Sequence, residues 1–228
     1  DHKGYKKKLF LASLLVGVIC CVLLGFVTNW LFFLVLFVIT RVGYSVSLIF
    51  YDSMLPDIST SERLDRVSSY GYGLGYIGSC IPFAACLILV LGADAFGLTL
   101  SSSMMISFLI VAVWWFAVSV PLLKRYRQKY YSTGNGKSAI AGSFQRLAST
   151  FRSIKKEKKT FLFLLSFFFY IDGVYAIIDM ATAYGTALGL DTTGLLIALL
   201  VTQIVAFPFS ILFGRLSGKH RPEKLIII

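Results

Sequence analysis

The sequence predicts an all-α integral membrane protein with six membrane-spanning helices, and three observations predict it. The chain is too apolar for water: 57% of its 228 residues are hydrophobic, only 14% are charged, and the mean hydropathy is +0.79, whereas soluble domains carry about 25% charged residues. The apolar residues are gathered into six runs, each near the ~20 residues that a helix needs to cross a bilayer. The basic residues are confined to alternate connections. A continuous apolar run satisfies its backbone in lipid only as a helix, and none of the runs shows the alternation of a membrane strand.

The expected spans are Leu9–Thr28, Trp30–Tyr51, Val67–Gly92, Ser101–Leu123, Thr160–Ala183 and Thr193–Phe213, with a seventh beginning at Leu225. The first two meet at Thr28–Asn29 and form a helical hairpin. Pro56 disfavours helix in the residue before it, so the second span is expected to break near Leu55. Ser59, Thr60 and Ser61 are candidate caps for the next helix. The four cysteines, Cys20, Cys21, Cys80 and Cys86, sit in apolar runs without CxxC spacing and read as small buried hydrophobes. His2 and His220 lie in basic loops with no metal-ligand partners nearby. Nothing in the sequence suggests a metal, a cofactor or a catalytic constellation inside a span. The chain starts at Asp1 and stops inside an apolar run, as a piece of a longer protein would.

A net charge of +11, from 22 Lys and Arg against 11 Asp and Glu, raises nucleic-acid binding as a reading. The distribution argues against it. Lys3, Lys6, Lys7 and Lys8 precede the first span, Arg63 and Arg66 stand between the second and third, eleven Lys or Arg lie from Lys124 to Lys159, and Arg215, Lys219, Arg221 and Lys224 follow the sixth. The alternate loops (Asn29, Ala93–Leu100 and Gly185–Thr192) have none. This is the positive-inside pattern. It puts the residue-1 side, the 124–159 connection and the far end in the cytoplasm, and it makes the lipid bilayer, not nucleic acid, the partner of the charge.

The connection opens with Lys124-Arg125-Tyr126-Arg127 and passes through Ser132–Gly136. It continues with Ile140, Phe144, Leu147, Phe151 and Ile154 at helical steps of four and three, and Lys137, Arg146, Arg152, Lys155 and Lys156 fill the rest. This is a basic amphipathic helix, which either lies along the membrane surface or packs on the ends of the spans.

Ionisable residues inside a span are costly and are functional candidates by default. Arg41 and Asp172 fall near mid-depth of their runs, and Asp179 lies seven residues beyond Asp172 on a similar face. An anionic substrate group could be held by Arg41, and Asp172 could bind an amine or carry a proton; the bland alternative is a structural pair with another charged group. Tyr170, Tyr175 and Gln203 are candidate hydrogen-bonding groups along the same pathway. Gly73-Leu74-Gly75-Tyr76-Ile77-Gly78 spells G-x-G-x-x-G, but a dinucleotide site needs a strand before it, and this one is inside an apolar run. Gly71, Gly75 and Gly78 read better as a close-packing surface between helices. Phe167-Phe168-Phe169 reads as lipid-facing, and Trp114 and Trp115 stand too deep to be interface anchors.

Two short basic loops echo each other: Asp1-His2-Lys3-Gly4-Tyr5-Lys6-Lys7, and Gly214-Arg215-Leu216-Ser217-Gly218-Lys219-His220-Arg221. They resemble the loop motif of the major facilitator superfamily, found between spans two and three and again between spans eight and nine. The resemblance tightens at Phe50-Tyr51-Asp52-Ser53-Met54-Leu55-Pro56-Asp57 with Arg66-Val67-Ser68-Ser69-Tyr70-Gly71, and at Tyr170-Ile171-Asp172-Gly173-Val174. Those stretches are similar to the branch that contains the fungal vacuolar amino-acid effluxer of autophagy and its bacterial relatives. Departures are Gly218 in place of Asp, Arg221 in place of Gly and Ile171 in place of Asn.

The resemblance implies a twelve-helix fold of which this chain supplies spans three to eight. Residues 1–123 would belong to the N-terminal bundle, 124–159 to the linker between halves and 160–228 to the C-terminal bundle. It implies a secondary active transporter, not an enzyme, in a bacterial cell membrane. Such a transporter would move a small-molecule substrate, amino-acid-like metabolites favoured, by alternating access, with protons as coupling ion. Asp1, Gly4, Lys7, Arg66, Gly214 and Arg215 would then lie in the cytoplasmic gate loops. The alternatives are a non-transporting membrane receptor or scaffold and, further off, a membrane-embedded enzyme.

Overall fold

A computed structural model of the chain describes residues 5–130 and 139–217, the side chains of Ser61 and residues 139–147 excepted. Among the described residues eight α-helices occur in order: α1 Tyr5–Leu24, α2 Trp30–Ser53, α3 Leu55–Ile58, α4 Leu64–Leu91, α5 Leu100–Arg125, α6 Ala139–Lys156, α7 Lys158–Ala187 and α8 Thr192–Ser217. A 3₁₀ turn at Ser61–Arg63 precedes α4. There is no strand among the described residues. Six of the helices, α1, α2, α4, α5, α7 and α8, are long and apolar enough to cross a membrane. The expected seventh span, from Leu225, lies outside the described residues, as do Asp1, Gly4 and Ser132–Gly136.

The helix ends show why each run folds where it does. Asn29 caps α2, its side-chain oxygen accepting the N–H of Leu31 at 2.9 Å, and Thr99 caps α5 by accepting from Ser102 N–H at 3.2 Å. These are orphan donors that a helix start must satisfy. Pro56 sits in the first turn of α3, where its missing N–H costs nothing, and the break it causes falls at Met54. The expected capping by Ser59, Thr60 or Ser61 is not found. Neither the 3₁₀ turn nor α4 has a side-chain cap; the turn is closed by the backbone, Arg63 N–H to Thr60 C=O at 2.9 Å. α7 ends in a left-handed glycine, Gly189 at φ +79°. Leu190 N–H reaches back to Gly185 C=O and Gly189 N–H to Thr186 C=O, both at 3.0 Å, which closes the last carbonyls of the helix.

The chain forms two compact units: α1 to α5 with α8 from Ala198 onward, and α6, α7 and α8 up to Ile197. In the first, α1 and α2 are the tight hairpin that the sequence led us to expect. A Cβ at Gly43 would lie 3.0 Å from the Gly17 Cα, so the two backbones touch. Trp115 of α5 covers the crossing: a Cβ at Gly17 would come within 2.8 Å of its ring, and the ring packs edge-on to Tyr44, centroids 5.8 Å apart. Trp115 is therefore a packing residue between three spans. Phe10, Leu14, Met54 and Tyr126 form the buried core beside it. In the second unit, α6 is the helix expected from the four-and-three spacing. Lys155 extends over the exposed Phe151 ring, 5.7 Å from its centroid; the side chains of Ile140, Phe144 and Leu147 are not among those described.

Most other large apolar side chains on the six long helices are uncovered by the chain itself, for example Trp30, Phe163 and Ile177. In water such a surface would be an interaction patch; on helices of this length it is the surface that lipid and neighbouring spans cover. At 1.5 Å per residue, the 30 residues of α7 run about 45 Å. This exceeds the ~30 Å hydrocarbon core, so Lys158 and Lys159 at its start reach the headgroup region.

Candidate functional site

The mid-span ionisable groups lie where the runs placed them. Arg41 is the twelfth of the 24 residues of α2, and Asp172 the fifteenth of the 30 of α7. Tyr175 and Asp179 follow Asp172 at three and seven residues, which gives one helical stripe. All three are exposed within this chain. Tyr170, two residues before Asp172, stands on another face of α7. Asp179 and Arg41 each have a further interaction within the chain. Gln203 of α8 is hydrogen-bonded to the Ser79 hydroxyl of α4, so its side chain holds two spans together.

That bond is part of a seam along which α4 and α8 run antiparallel. The Ser210 hydroxyl donates to Ser69 C=O at 2.8 Å. Gly214 is buried, and a Cβ there would lie 2.5 Å from the Ser69 Cβ. Gly73 faces Ile211, Ser210 and Phe207 at 3.4, 3.6 and 3.7 Å. The close contact thus uses Gly73, not the expected Gly71, Gly75 and Gly78. A Cβ at Gly75 or Gly78 would meet nothing within 4 Å, and at Gly71 only the Tyr51 hydroxyl at 3.5 Å. The reason is rotational: residues two apart on a helix point about 200° apart, so Ser69 and Gly73 share one face while Gly71, Gly75 and Gly78 share another. Where the seam ends, the guanidinium groups of Arg66 and Arg215 both hydrogen-bond the Tyr70 hydroxyl, and the Arg66 guanidinium carbon is 5.7 Å from the Tyr70 ring centroid. Of the expected gate residues, Arg66, Gly214 and Arg215 are therefore brought together.

Lys7, another expected gate residue, is half-buried. Its neighbour Lys6, to which the sequence assigned no role, is the buried lysine. Lys6 Nζ donates to Asp57 Oδ2 at 3.1 Å and to Ser53 C=O at 3.0 Å. Asp57, 1% exposed, also accepts from the Tyr126 hydroxyl at 2.5 Å and from the main-chain N–H groups of Lys129 and Tyr130 at 3.0 and 2.9 Å. Both carboxylate oxygens are thereby saturated. Burial, with the hydrogen bond to Asp57 and its charge, raises the Tyr126 phenol above its ordinary range, so it stays a donor.

The four acidic residues Asp52, Asp57, Glu62 and Asp65 are thus not one solvated group: Asp57 is withdrawn into a knot that ties α1, α3 and the segment after α5. The knot also answers an electrostatic fault. α1 starts at Tyr5 rather than Leu9 and so carries Lys6, Lys7 and Lys8 in its first turn with no acidic residue there, where the helix dipole disfavours cations. Asp57 supplies the missing negative charge. The signal in the sequence was faint: an aspartate between Leu55 or Pro56 and Ile58, at a helix break.

Among the described residues no group of three His, Cys, Asp or Glu is placed to hold a metal ion. The four cysteines are free thiols, Cys21 buried and the others half-buried.

Six apolar helices, with charged side chains at mid-helix in two of them and a buried ionic knot at one end of the bundle, define a multi-pass α-helical membrane protein. The family model described as "Vacuole effluxer Atg22 like" matches residues 1–228. The chain belongs to that family. It is 39% identical over 232 residues to the uncharacterized MFS-type transporter YxiO of Bacillus subtilis, covering 100% of this chain and 54% of that protein. It is 22% identical over 296 residues to Autophagy-related protein 22 of Coccidioides immitis, covering 100% of this chain and 48% of that protein. With Autophagy-related protein 22-1 of Aspergillus fumigatus it shares 32% identity over 143 residues, 57% of this chain and 22% of that protein. The chain spans about half the length of the first two relatives. No solved structure matches it.

Proposed function

We propose that the complete protein is a secondary active transporter that moves small polar solutes, amino-acid-like metabolites favoured, by alternating access. The observation that carries this reading is the placement of opposite charges at the midpoints of two long apolar helices, Arg41 in α2 and Asp172 in α7. Charge at that depth is expensive and persists where it serves a pathway. Family membership and the printed names of the relatives support the same class.

In this mechanism Arg41 binds a carboxylate or other anionic substrate group. Asp172 takes an amine or a coupling proton, and Tyr175 and Asp179 extend its stripe toward the outer surface. Tyr170 and Gln203 are secondary contacts. Two halves, to which residues 1–123 and 160–228 contribute, rock about a midplane site, joined by the 124–159 linker. The basic ends face the cytoplasm of a bacterial cell, and Arg66, Gly214 and Arg215, with Asp1, Gly4 and Lys7 in the opposite loop, close the cytoplasmic gate. The stripe Gly71, Gly75, Gly78 gives a smooth face for another span.

The test is uptake of a panel of amino acids, peptides, nucleosides and sugars into vesicles holding the full-length protein. Asp172→Asn and Arg41→Ala should each abolish transport of the solute that the unaltered protein carries, while the protein remains folded. Unchanged transport by Asp172→Asn overturns the assignment.

A further inference from the structure

Two arginines meet at one end of the α4–α8 seam without a described carboxylate to pair them. Arg66 is in the first turn of α4 and Arg215 in the last turn of α8, and both reach the same neutral phenol, Tyr70. Among the described residues neither forms an ion pair with an acidic side chain, although Asp65 is next to Arg66 in sequence. The α4 end contributes further positive potential, because its N–H groups have no side-chain cap and the helix dipole points its positive end there. Two guanidinium groups gathered on an uncharged group at the edge of a low-dielectric region repel each other. An anion with several acceptor oxygens would satisfy both, since guanidinium donors match phosphate geometry.

Beside the arginines opens a cleft of about 450 Å³ between the same two helices. Ser68, Ser69 and Ser210 line it together with Tyr72, Phe209 and Phe213. Its floor is polar only near the arginine end, and its walls are aromatic. Tyr72 and Phe209 are more than half exposed, so the cleft opens sideways, toward the lipid around the spans.

We infer that the α4–α8 cleft is a binding site for an anionic phospholipid, its phosphate held between Arg66 and Arg215 and its acyl chain laid along Tyr72, Phe209 and Phe213. A free phosphate would satisfy the arginines and leave the apolar walls uncovered. A neutral lipid would cover the walls and leave the two cations facing each other. Only a ligand with an anionic head and an apolar chain matches both ends. The lipid would also bridge two spans that otherwise meet through small residues, and so bias how closely they approach.

The test is native mass spectrometry of the full-length protein titrated with phosphatidylglycerol or phosphatidylcholine. Phosphatidylglycerol should be retained about tenfold more strongly than phosphatidylcholine, as two basic contacts predict. The double variant Arg66→Gln/Arg215→Gln should lose that preference, whereas Arg63→Gln, which removes a neighbouring exposed cation, should keep it. Ser68→Trp, which fills the cleft and leaves both arginines, should also weaken retention, and it stands in should the double variant fail to fold. Equal retention by the double variant overturns the proposal, as does equal loss in Arg63→Gln, which would mean a diffuse charge effect. Displacement by glycerol phosphate at the same concentration as the lipid would also overturn it, in favour of a free-anion site.

Discussion

Replacing Asp57 by Ala is the sharpest perturbation of the first unit. The carboxylate is 1% exposed and accepts four hydrogen bonds, from Lys6, Tyr126, Lys129 and Tyr130. Its removal leaves a buried ammonium with only Ser53 C=O, a buried phenol and two main-chain donors. Breaking a buried ion pair by deleting one partner costs about 3–5 kcal/mol, and each orphaned neutral donor adds about 1 kcal/mol where water does not reach it. Water entering the hole offsets part of this, so about 4 kcal/mol is the expected loss.

At about 2–4 °C per kcal/mol for a domain of this size, the melting temperature of the full-length protein in detergent should fall by about 8–16 °C. Asp57→Asn keeps one acceptor and should lose about half as much. A double-mutant cycle separates pairing from packing: Lys6→Met together with Asp57→Leu removes both charges, and should be less destabilised than Asp57→Ala alone. A loss below about 1 kcal/mol for Asp57→Ala, the range of exposed pairs, would refute the buried knot, as would strict additivity in the cycle.

Other consequences can be checked in the same preparation. Tyr126→Phe should cost about 1–2 kcal/mol, measured by thermal unfolding, because it removes one hydrogen bond to a charged acceptor. The raised Tyr126 phenol also has a pH signature. A folded-state value above the unfolded one near 10 stabilises the neutral form, so its contribution is full below that pH and is lost as pH rises through the folded value. The ultraviolet difference titration of the unaltered protein minus Tyr126→Phe should therefore show a phenol ionising above the ordinary tyrosine range. Gly17→Val places two methyl groups against the Trp115 ring and should lower stability by about 1–3 kcal/mol or more, as overpacking does; the same change at Gly75, where nothing lies within 4 Å, should cost less than 1 kcal/mol in unfolding of this chain.

Much of the architecture was legible because lipid leaves a chain few options. A run such as Trp30–Tyr51 must be helical across its whole length, and its ends are marked by Asn29 and Pro56. The mid-helix positions of Arg41 and Asp172 followed from counting. The knot was not legible, because Lys6, Asp57 and Tyr126 are more than fifty residues apart and each sits among residues of ordinary loop polarity. Whether a loop carboxylate is solvated or buried depends on which segments cover it. The seam was half legible: the glycines of α4 announced a packing face, but spacing alone does not fix the rotation of the helix, and Gly73 rather than Gly71 or Gly75 faces α8. Trp115 had no reading until Gly17 and Gly43 were seen to leave room for its ring.

The Asp57 knot also divides its participants by the kind of information they carry. Asp57, Lys6 and Tyr126 contribute side chains, so few residue types can replace them. Lys129 and Tyr130 contribute only their peptide N–H groups, so nearly any residue except proline serves at either position. A mutational scan would show three intolerant sites on separate segments and, at 129 and 130, two apparently permissive ones with a single forbidden substitution. The anchor for the first stretch of the linker would thus be invisible to side-chain variation, and would be exposed by proline alone.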